Sequence, residues 1–271
     1  MSGSISRRLV TEGLIYYLDA ANPESFISGN TQWNSMDVNK NFVTLVNGPQ
    51  YLDDFKGIIR FDGTDDALSQ SQLFSPSIRN GDRPGETPDI DFELTFEVIF
   101  RLLGDGVTAN TVTNFVKTTA TSGGLQPILL YKNGDSVPNR LISVAQYMST
   151  GGTKVSVQTL NPNYVYDVNK WYHLTMSMRK TSPTTGEWLL VRNGIVLEQQ
   201  TLTDIDWWGN SSSVANDNGN RMQASPTVGF FEHDKAIMRV YRKGLTVEEC
   251  LQNYDALKKR FKLELREQLC I

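Results

Sequence analysis

Three carboxylates at alternate positions are the candidates for catalysis in this sequence. They are Asp89, Asp91 and Glu93, in the run Asp-Ile-Asp-Phe-Glu. Residues i, i+2 and i+4 of a β-strand lie on one face, so the run can present its carboxylates together. Two carboxylates on one face can hydrolyse a glycosidic bond, one as the acid and the other as the nucleophile or base. The sequence therefore raises glycoside hydrolysis as a hypothesis, against the alternative that the run is a solvated strand entry.

A second acidic group consists of Asp62, Asp65 and Asp66, in the run FDGTDD. Calcium takes six to eight oxygen ligands, and clustered carboxylates can supply several of them. The alternative is a turn, because Gly63 permits a positive φ angle and aspartate side chains bond to nearby backbone N–H groups. We predict no cofactor and keep calcium at these three residues as the alternative.

Trp207 and Trp208 begin the long polar stretch 204–226. An exposed tryptophan can stack on a sugar ring or anchor a protein interface. We predict a carbohydrate or partner contact at this pair, with the alternative that one or both close the edge of the fold. His173 has no Ser, Cys or carboxylate motif beside it in the sequence, which favours a structural role.

Alternating apolar residues predict β-strands over residues 92–100 and 172–178. We expect their even-numbered residues to be buried and most odd-numbered ones to be exposed. The pair Asn193-Gly194 predicts a two-residue hairpin, because it supplies the two positive φ angles of a type I′ turn. Thr246 and Glu249 form a capping box, and apolar residues at spacings of three and four follow, which predicts a C-terminal helix.

Composition excludes several classes of protein. The 271 residues are 39% hydrophobic with a net charge of −4, which predicts a sizeable core and no general binding of nucleic acid. No apolar run approaches the roughly 20 residues of a membrane span, and no secretory leader is recognisable, so we expect synthesis in a cytoplasm without membrane insertion. Two cysteines and two histidines do not match a zinc site, and Cys250 and Cys270 are not expected to pair.

Several short motifs occur in a fixed order along the chain. They are GLIYYLDAANP (13–23), LVNGP (45–49), FDGTDD (61–66), KWYHLTMSM (170–178), LLVRNGIVL (189–197) and MRVYRKGLTVEECLQNY (238–254). Together they resemble the concanavalin A-like lectin/glucanase superfamily, in its laminin-G-like (pentraxin-like) branch, over residues 9–261. The resemblance implies an all-β jelly-roll sandwich of two antiparallel sheets with a C-terminal α-helix.

The tyrosine-rich first strand and the closing helix are similar to those of copies in tailed-bacteriophage virion structural proteins. This resemblance implies a non-enzymatic virion protein, made in the host cytoplasm and placed on the capsid surface or in the tail or baseplate. Its partners would be other virion proteins, further copies of itself and host-surface glycans. A carbohydrate-binding module is the alternative. A glycoside hydrolase is disfavoured, because laminarinase-type glucanases of the same fold carry Glu where this sequence has Asp89.

The chain ends are predicted to be assembly contacts. Residues 1–8 form a polar arm, and residues 262–271 form a helical extension beyond the jelly-roll domain 9–261. Each large aliphatic residue in the extension is worth roughly 1.5–3 kcal/mol when buried, and a neighbouring subunit can bury it. Packing onto the chain's own sandwich is the alternative. The residues predicted to make assembly contacts are Arg7, Arg8, Leu263, Leu265 and Leu269.

Overall fold

The structure is a computed structural model that describes residues 8–37, 40–69, 93–104, 113–117, 128–132, 141–151, 153–158, 165–205 and 232–263. Fifteen strands and one α-helix occur in this part of the chain. The strands are β1 (Leu14–Asp19), β2 (Gln32–Asn34), β3 (Phe42–Val46), β4 (Gln50–Leu52), β5 (Ile58–Asp62), β6 (Ala67–Ser69), β7 (Leu94–Leu102), β8 (Thr113–Lys117), β9 (Ile128–Lys132), β10 (Leu141–Met148), β11 (Lys154–Gln158), β12 (Trp171–Lys180), β13 (Gly186–Arg192), β14 (Ile195–Leu202) and β15 (Glu232–Tyr241). The helix is α1 (Val247–Phe261).

Antiparallel sheets form the two layers of the molecule. The first layer is an eight-stranded sheet in the order β14-β13-β12-β7-β15-β5-β4, with β1 pairing beside β5 on the same side of β15. The second layer consists of a four-stranded sheet, β11-β10-β9-β8, and a three-stranded sheet, β2-β3-β6. The predicted all-β jelly-roll sandwich with a C-terminal helix is confirmed.

The main core lies between the two layers. Residues from the inner face of the large sheet, such as Phe96 and Met176, share one apolar cluster with Trp33, Val43 and Tyr147 of the smaller sheets. The even-numbered residues over 94–102 and 172–178 lie in this core, which confirms that half of the burial prediction.

The outer face of the large sheet is covered by α1. The prediction that the odd-numbered residues are exposed is therefore wrong, because the helix and the segment 242–246 before it pack over them. Thr95, Glu97, His173, Thr175 and Ser177 are each at most 1% exposed. Phe92, at the start of the predicted strand, lies outside the described residues.

Local sequence signals place the hairpin and the helix start. Asn193 and Gly194 have φ angles of 48° and 74°, as the type I′ prediction requires. The Thr246 side chain accepts a hydrogen bond from the Glu249 N–H at 3.3 Å, and Glu249 accepts one from the Thr246 N–H at 3.0 Å. Within the described residues, no helix has the length and apolar content needed to cross a bilayer.

The helix stops earlier than the sequence suggests. Lys262 adopts the left-handed conformation and its N–H bonds to the Lys258 carbonyl, so the helix ends at Phe261 instead of continuing through Lys262. Leu263 is 6% exposed and joins the apolar cluster of Ile58 and Phe261 beneath the helix end. This corrects the expectation that Leu263 is left for a neighbouring subunit, since its burial needs no second chain.

Candidate binding surface

The acidic turn, Asp62, Asp65 and Asp66, joins β5 to β6. One carboxylate oxygen from each residue lies within 4.8 Å of the others. Asp66 Oδ2 accepts a hydrogen bond from the Asp62 N–H at 2.9 Å, and Asp62 Oδ1 accepts one from the Thr64 N–H at 2.7 Å. Burial, together with the charges of Asp62 and Asp65, raises the pKa of Asp66 against the opposing effect of its hydrogen bond. These carboxylates therefore stabilise the turn, while their oxygen donors are of the kind that calcium prefers. The absence of a cofactor stays the prediction, with calcium at these residues as its alternative.

Glu93 is bound to the backbone at the opposite end of the sheet from the acidic turn. Its Oε1 accepts a hydrogen bond from the Lys180 N–H at 2.6 Å, where β12 ends. Asp89 and Asp91, its proposed catalytic companions, lie outside the described residues. One of the three carboxylates considered for catalysis thus holds the β12–β13 connection.

A buried ionic cluster around Glu97 lies between the large sheet and α1. The Glu97 carboxylate contacts His173 Nε2, lies 3.2 Å from Arg239 Nη1 and accepts hydrogen bonds from Asn253 Nδ2 at 3.1 Å and Tyr241 OH at 3.3 Å. All five residues are at most 1% exposed. His173 therefore has a carboxylate partner after all, supplied by a strand 76 residues away in sequence.

Charge neutralisation keeps Glu97 ionised. Burial by itself raises the pKa of Glu97, but the charge of Arg239 and the contacts with His173 outweigh it and hold the pKa at about 2. Burial by itself lowers the pKa of Arg239, but the surrounding groups, led by the negative charge of Glu97, outweigh it, and the pKa of Arg239 is raised. The cluster is a permanently charged structural element that solvent does not reach.

A row of charged and aromatic side chains crosses the outer face near the acidic turn. The register places Arg60 of β5, Asp234 of β15, Arg101 of β7 and Trp171 of β12 side by side. Asp234 is fully buried and accepts hydrogen bonds from Arg60 Nε at 2.9 Å and Arg101 Nε at 2.9 Å. The Arg60 side chain remains 32% exposed. We call these four residues the arginine row.

Phe55 forms a half-buried wall beside the arginine row. The Arg101 guanidinium carbon lies 5.6 Å from the Phe55 ring centroid and 5.1 Å from that of Trp171. Phe55 has a φ angle of 51°, which is unusual for a bulky residue and costs on the order of 1–3 kcal/mol. Arg260 holds it by donating to the Phe55 carbonyl at 2.9 Å and to both Asp19 oxygens at 2.8 Å. The fold thus fixes the Phe55 ring beside the Arg101 guanidinium group.

The arginine row and the acidic turn share one end of the large sheet. Asp62 follows Arg60 by two residues on β5 and pairs with Glu232, which precedes Asp234 by two residues on β15. This end therefore combines carboxylates, guanidinium groups and an aromatic ring. Sequence analysis missed the arginine row, because Arg60, Arg101 and Asp234 are far apart in the chain and only the strand register unites them.

The remaining predicted contact residues are partly placed. Trp207 and Trp208, predicted to contact carbohydrate or a partner, lie outside the described residues, as do Arg7, Leu265 and Leu269 of the predicted assembly contacts. Arg8 is exposed, and its backbone carbonyl accepts a hydrogen bond from Gln252 Nε2 at 2.6 Å. The assembly role of the chain ends stays a prediction.

Comparison with known proteins extends the fold assignment. No family model matches the sequence, and no curated protein matches it. Among solved structures, the binding domain of botulinum neurotoxin DC in complex with SialylT has a TM-score of 0.55 at 10% identity, over 90% of this chain and 51% of that one. Trypanosoma rangeli sialidase has a TM-score of 0.55 at 11% identity, over 93% of this chain and 34% of that one. The chain spans about half the length of the toxin domain and a third of the sialidase, and the likeness at this identity is one of fold.

Proposed function

We propose that this chain is a non-enzymatic structural protein of a tailed-bacteriophage virion, at the capsid surface or in the tail or baseplate. The observation that carries the proposal is that the two motifs resembling phage proteins, the first strand and the closing helix, meet at one place in the fold. Tyr17 of the tyrosine-rich first strand contacts Arg239, and Asn253 of the closing helix contacts Glu97 at the same buried cluster. The two motifs thus pack against the same buried cluster, which supports treating them as parts of a single type of domain.

The use made of the acidic and basic groups supports a non-enzymatic role. A general acid or base must reach the substrate directly or through one water. Glu97 and His173 are sealed beneath α1, and Glu93 is bonded to the backbone at Lys180. These groups serve the fold, while the partly exposed Arg60 guanidinium of the arginine row is available for binding.

The virion assignment is tested on purified particles. We expect mass spectrometry and gold-labelled antibody to find the protein in phage particles at a stoichiometric copy number. We also expect a deletion of its gene to remove a defined layer or appendage from the particles. Its absence from extensively washed particles, with normal particles in the deletion strain, would refute the assignment.

Glycan binding at the arginine row is a second proposed function, favoured by the position of Phe55. Sugar sites combine an aromatic surface with a few fixed polar groups. Phe55 lies against Arg101, and Asp234 fixes both Arg101 and the more exposed Arg60, so an aromatic ring and oriented N–H donors occur side by side. The alternative site is the pair Trp207 and Trp208.

A glycan array with single variants separates the two sites. If the arginine row binds sugar, Phe55→Ala and Arg60→Met weaken retention at least tenfold, while Trp207→Ala and Trp208→Ala leave it unchanged. Ile27→Ala is the matched surface control, since Ile27 is 58% exposed in a different loop. The opposite pattern assigns binding to the tryptophan pair, and no retention of any glycan by wild type rejects both sites.

A further inference from the structure

The N-terminal residues 8–12 are held against α1 by a small, well-defined clasp. The Val10 N–H donates to Asn253 Oδ1 at 2.9 Å, and the Arg8 carbonyl accepts from Gln252 Nε2 at 2.6 Å. The Val10 side chain is 7% exposed and packs in an apolar cluster with Val191, Tyr241, Leu245 and Cys250. Two adjacent helix residues therefore bind the backbone at Arg8 and Val10, and one apolar cluster takes the Val10 side chain.

The buried ionic cluster around Glu97 orients the Asn253 side chain and so determines which backbone group of the segment Asn253 can bind. Asn253 Nδ2 donates to Glu97 Oε2 at 3.1 Å and to Tyr241 OH at 3.0 Å. Because the carboxylate can only accept, the Asn253 amide is oriented with Oδ1 turned away from it, towards Val10. Asn253 Oδ1 is thus a buried acceptor that needs an N–H donor. A buried acceptor is costly to leave unpaired, so some N–H donor must occupy this position.

The clasp binds its segment through few contacts. Outside it, Thr11 and Glu12 are exposed, and the salt bridge between Lys243 and Glu12 joins a Glu12 side chain that is 78% exposed. Salt bridges at such a position contribute little. The segment then meets Gly13, whose φ angle of 72° turns the chain into β1. The Leu14 N–H also donates to the Thr11 carbonyl at 3.2 Å, so rotation of residues 8–12 near Gly13 breaks this turn bond but none of the bonds between β1 and β15.

We propose that the clasp is an exchange site, which takes residues 8–10 of a second copy of this chain during assembly. An exchanged segment makes the same two hydrogen bonds and fills the same pocket, so exchange needs no new surface chemistry. The competing intramolecular segment acts at an effective concentration on the order of millimolar. Copies packed side by side in an assembly reach a comparable concentration, which allows reciprocal or successive exchange. This inference rests on the proposed role as a virion structural protein, and it identifies one contact between copies of the chain.

The chain's own buried cysteine provides the test. Val10 and Cys250 belong to the same apolar cluster, so a Val10→Cys variant places a second thiol in the cluster of Cys250 wherever the segment is bound, and a disulfide between the two reports that binding. The variant also carries Cys270→Ser, which removes the other cysteine. After mild oxidation at high protein concentration, we expect covalent dimers and higher oligomers on a non-reducing gel. The matched control, which adds Cys250→Ser, should give none of these bands.

Other outcomes overturn the exchange. Intramolecular disulfides alone, detected as monomers without free thiol, show that the segment binds only its own chain. If no disulfide forms, sedimentation of the unmodified chain decides. A concentration-dependent oligomer that Val10→Asp abolishes and Val10→Ile preserves supports the exchange, and a chain that stays monomeric at millimolar concentration refutes it. Monomer-only disulfides in a protein that is found in particles leave the virion role intact. Exchange in solution by a protein absent from particles refutes only the virion role.

Discussion

Replacing Glu97 by glutamine removes the negative charge from the buried ionic cluster and keeps the shape of the side chain. Arg239, which is 1% exposed, then has no counter-ion. Removing one partner of a buried ion pair costs about 3–5 kcal/mol. The lowering of the Glu97 pKa from 4.5 to about 2 points to the same size, since 1.36 kcal/mol per unit makes this about 3 kcal/mol. We expect Glu97→Gln to lower the free energy of unfolding by about 3 kcal/mol at pH 7.

Urea denaturation followed by tryptophan fluorescence measures the change. Glu187→Gln is the matched control, because Glu187 also pairs with an arginine on a neighbouring strand but its side chain is 17% exposed. The control should lose less than about 1 kcal/mol. Acid titration adds a second check. Since the pKa of Glu97 is lowered in the folded state, its contribution is present above pH 4.5 and disappears as the pH falls towards 2. A loss below 1 kcal/mol in Glu97→Gln, with unchanged acid stability, would refute the ionic role of the cluster.

Three further outcomes are expected. Burial lowers the pKa of Lys235 from 10.5 to about 7. Between these pH values the unfolded chain binds more protons than the folded chain, so the free energy of unfolding should rise with pH across this window. Equal pH slopes of the free energy of unfolding for wild type and Lys235→Met would contradict this. Gly194→Ala should lower the melting temperature by several degrees, because the φ angle is 74° and a Cβ would lie 2.8 Å from the Tyr254 ring. Gly151→Ala is the control and should have little effect, because a Cβ there would lie 3.8 Å from the nearest atom, the Ser149 hydroxyl oxygen. The acidic turn is stabilised by hydrogen bonds between its own side chains and backbone, so a chelator should leave the melting temperature unchanged. A melting temperature that falls with chelator and recovers with added calcium would instead establish a calcium site at Asp62, Asp65 and Asp66.

The sequence by itself determined the features that depend on neighbouring residues. Alternation over residues 92–100 indicated the strand found at Leu94–Leu102 and its inner face, because successive side chains of a strand point to opposite sides. Asn193-Gly194 indicated the hairpin, and Thr246 with Glu249 indicated the helix start, because each relies on a conformation or a hydrogen bond within a few residues. The motif order indicated the sandwich.

Only the tertiary structure decided what covers the outer face and which charges meet there. Glu97 has the local pattern of an exposed strand residue, yet α1, about 150 residues later in the chain, buries it beside His173 and Arg239. Arg60, Arg101 and Asp234 meet because β5 and β7 flank β15 in one register. Strand register and helix docking are set by the packing of the whole core, and a polar residue has the same local sequence pattern whether water or a helix covers it.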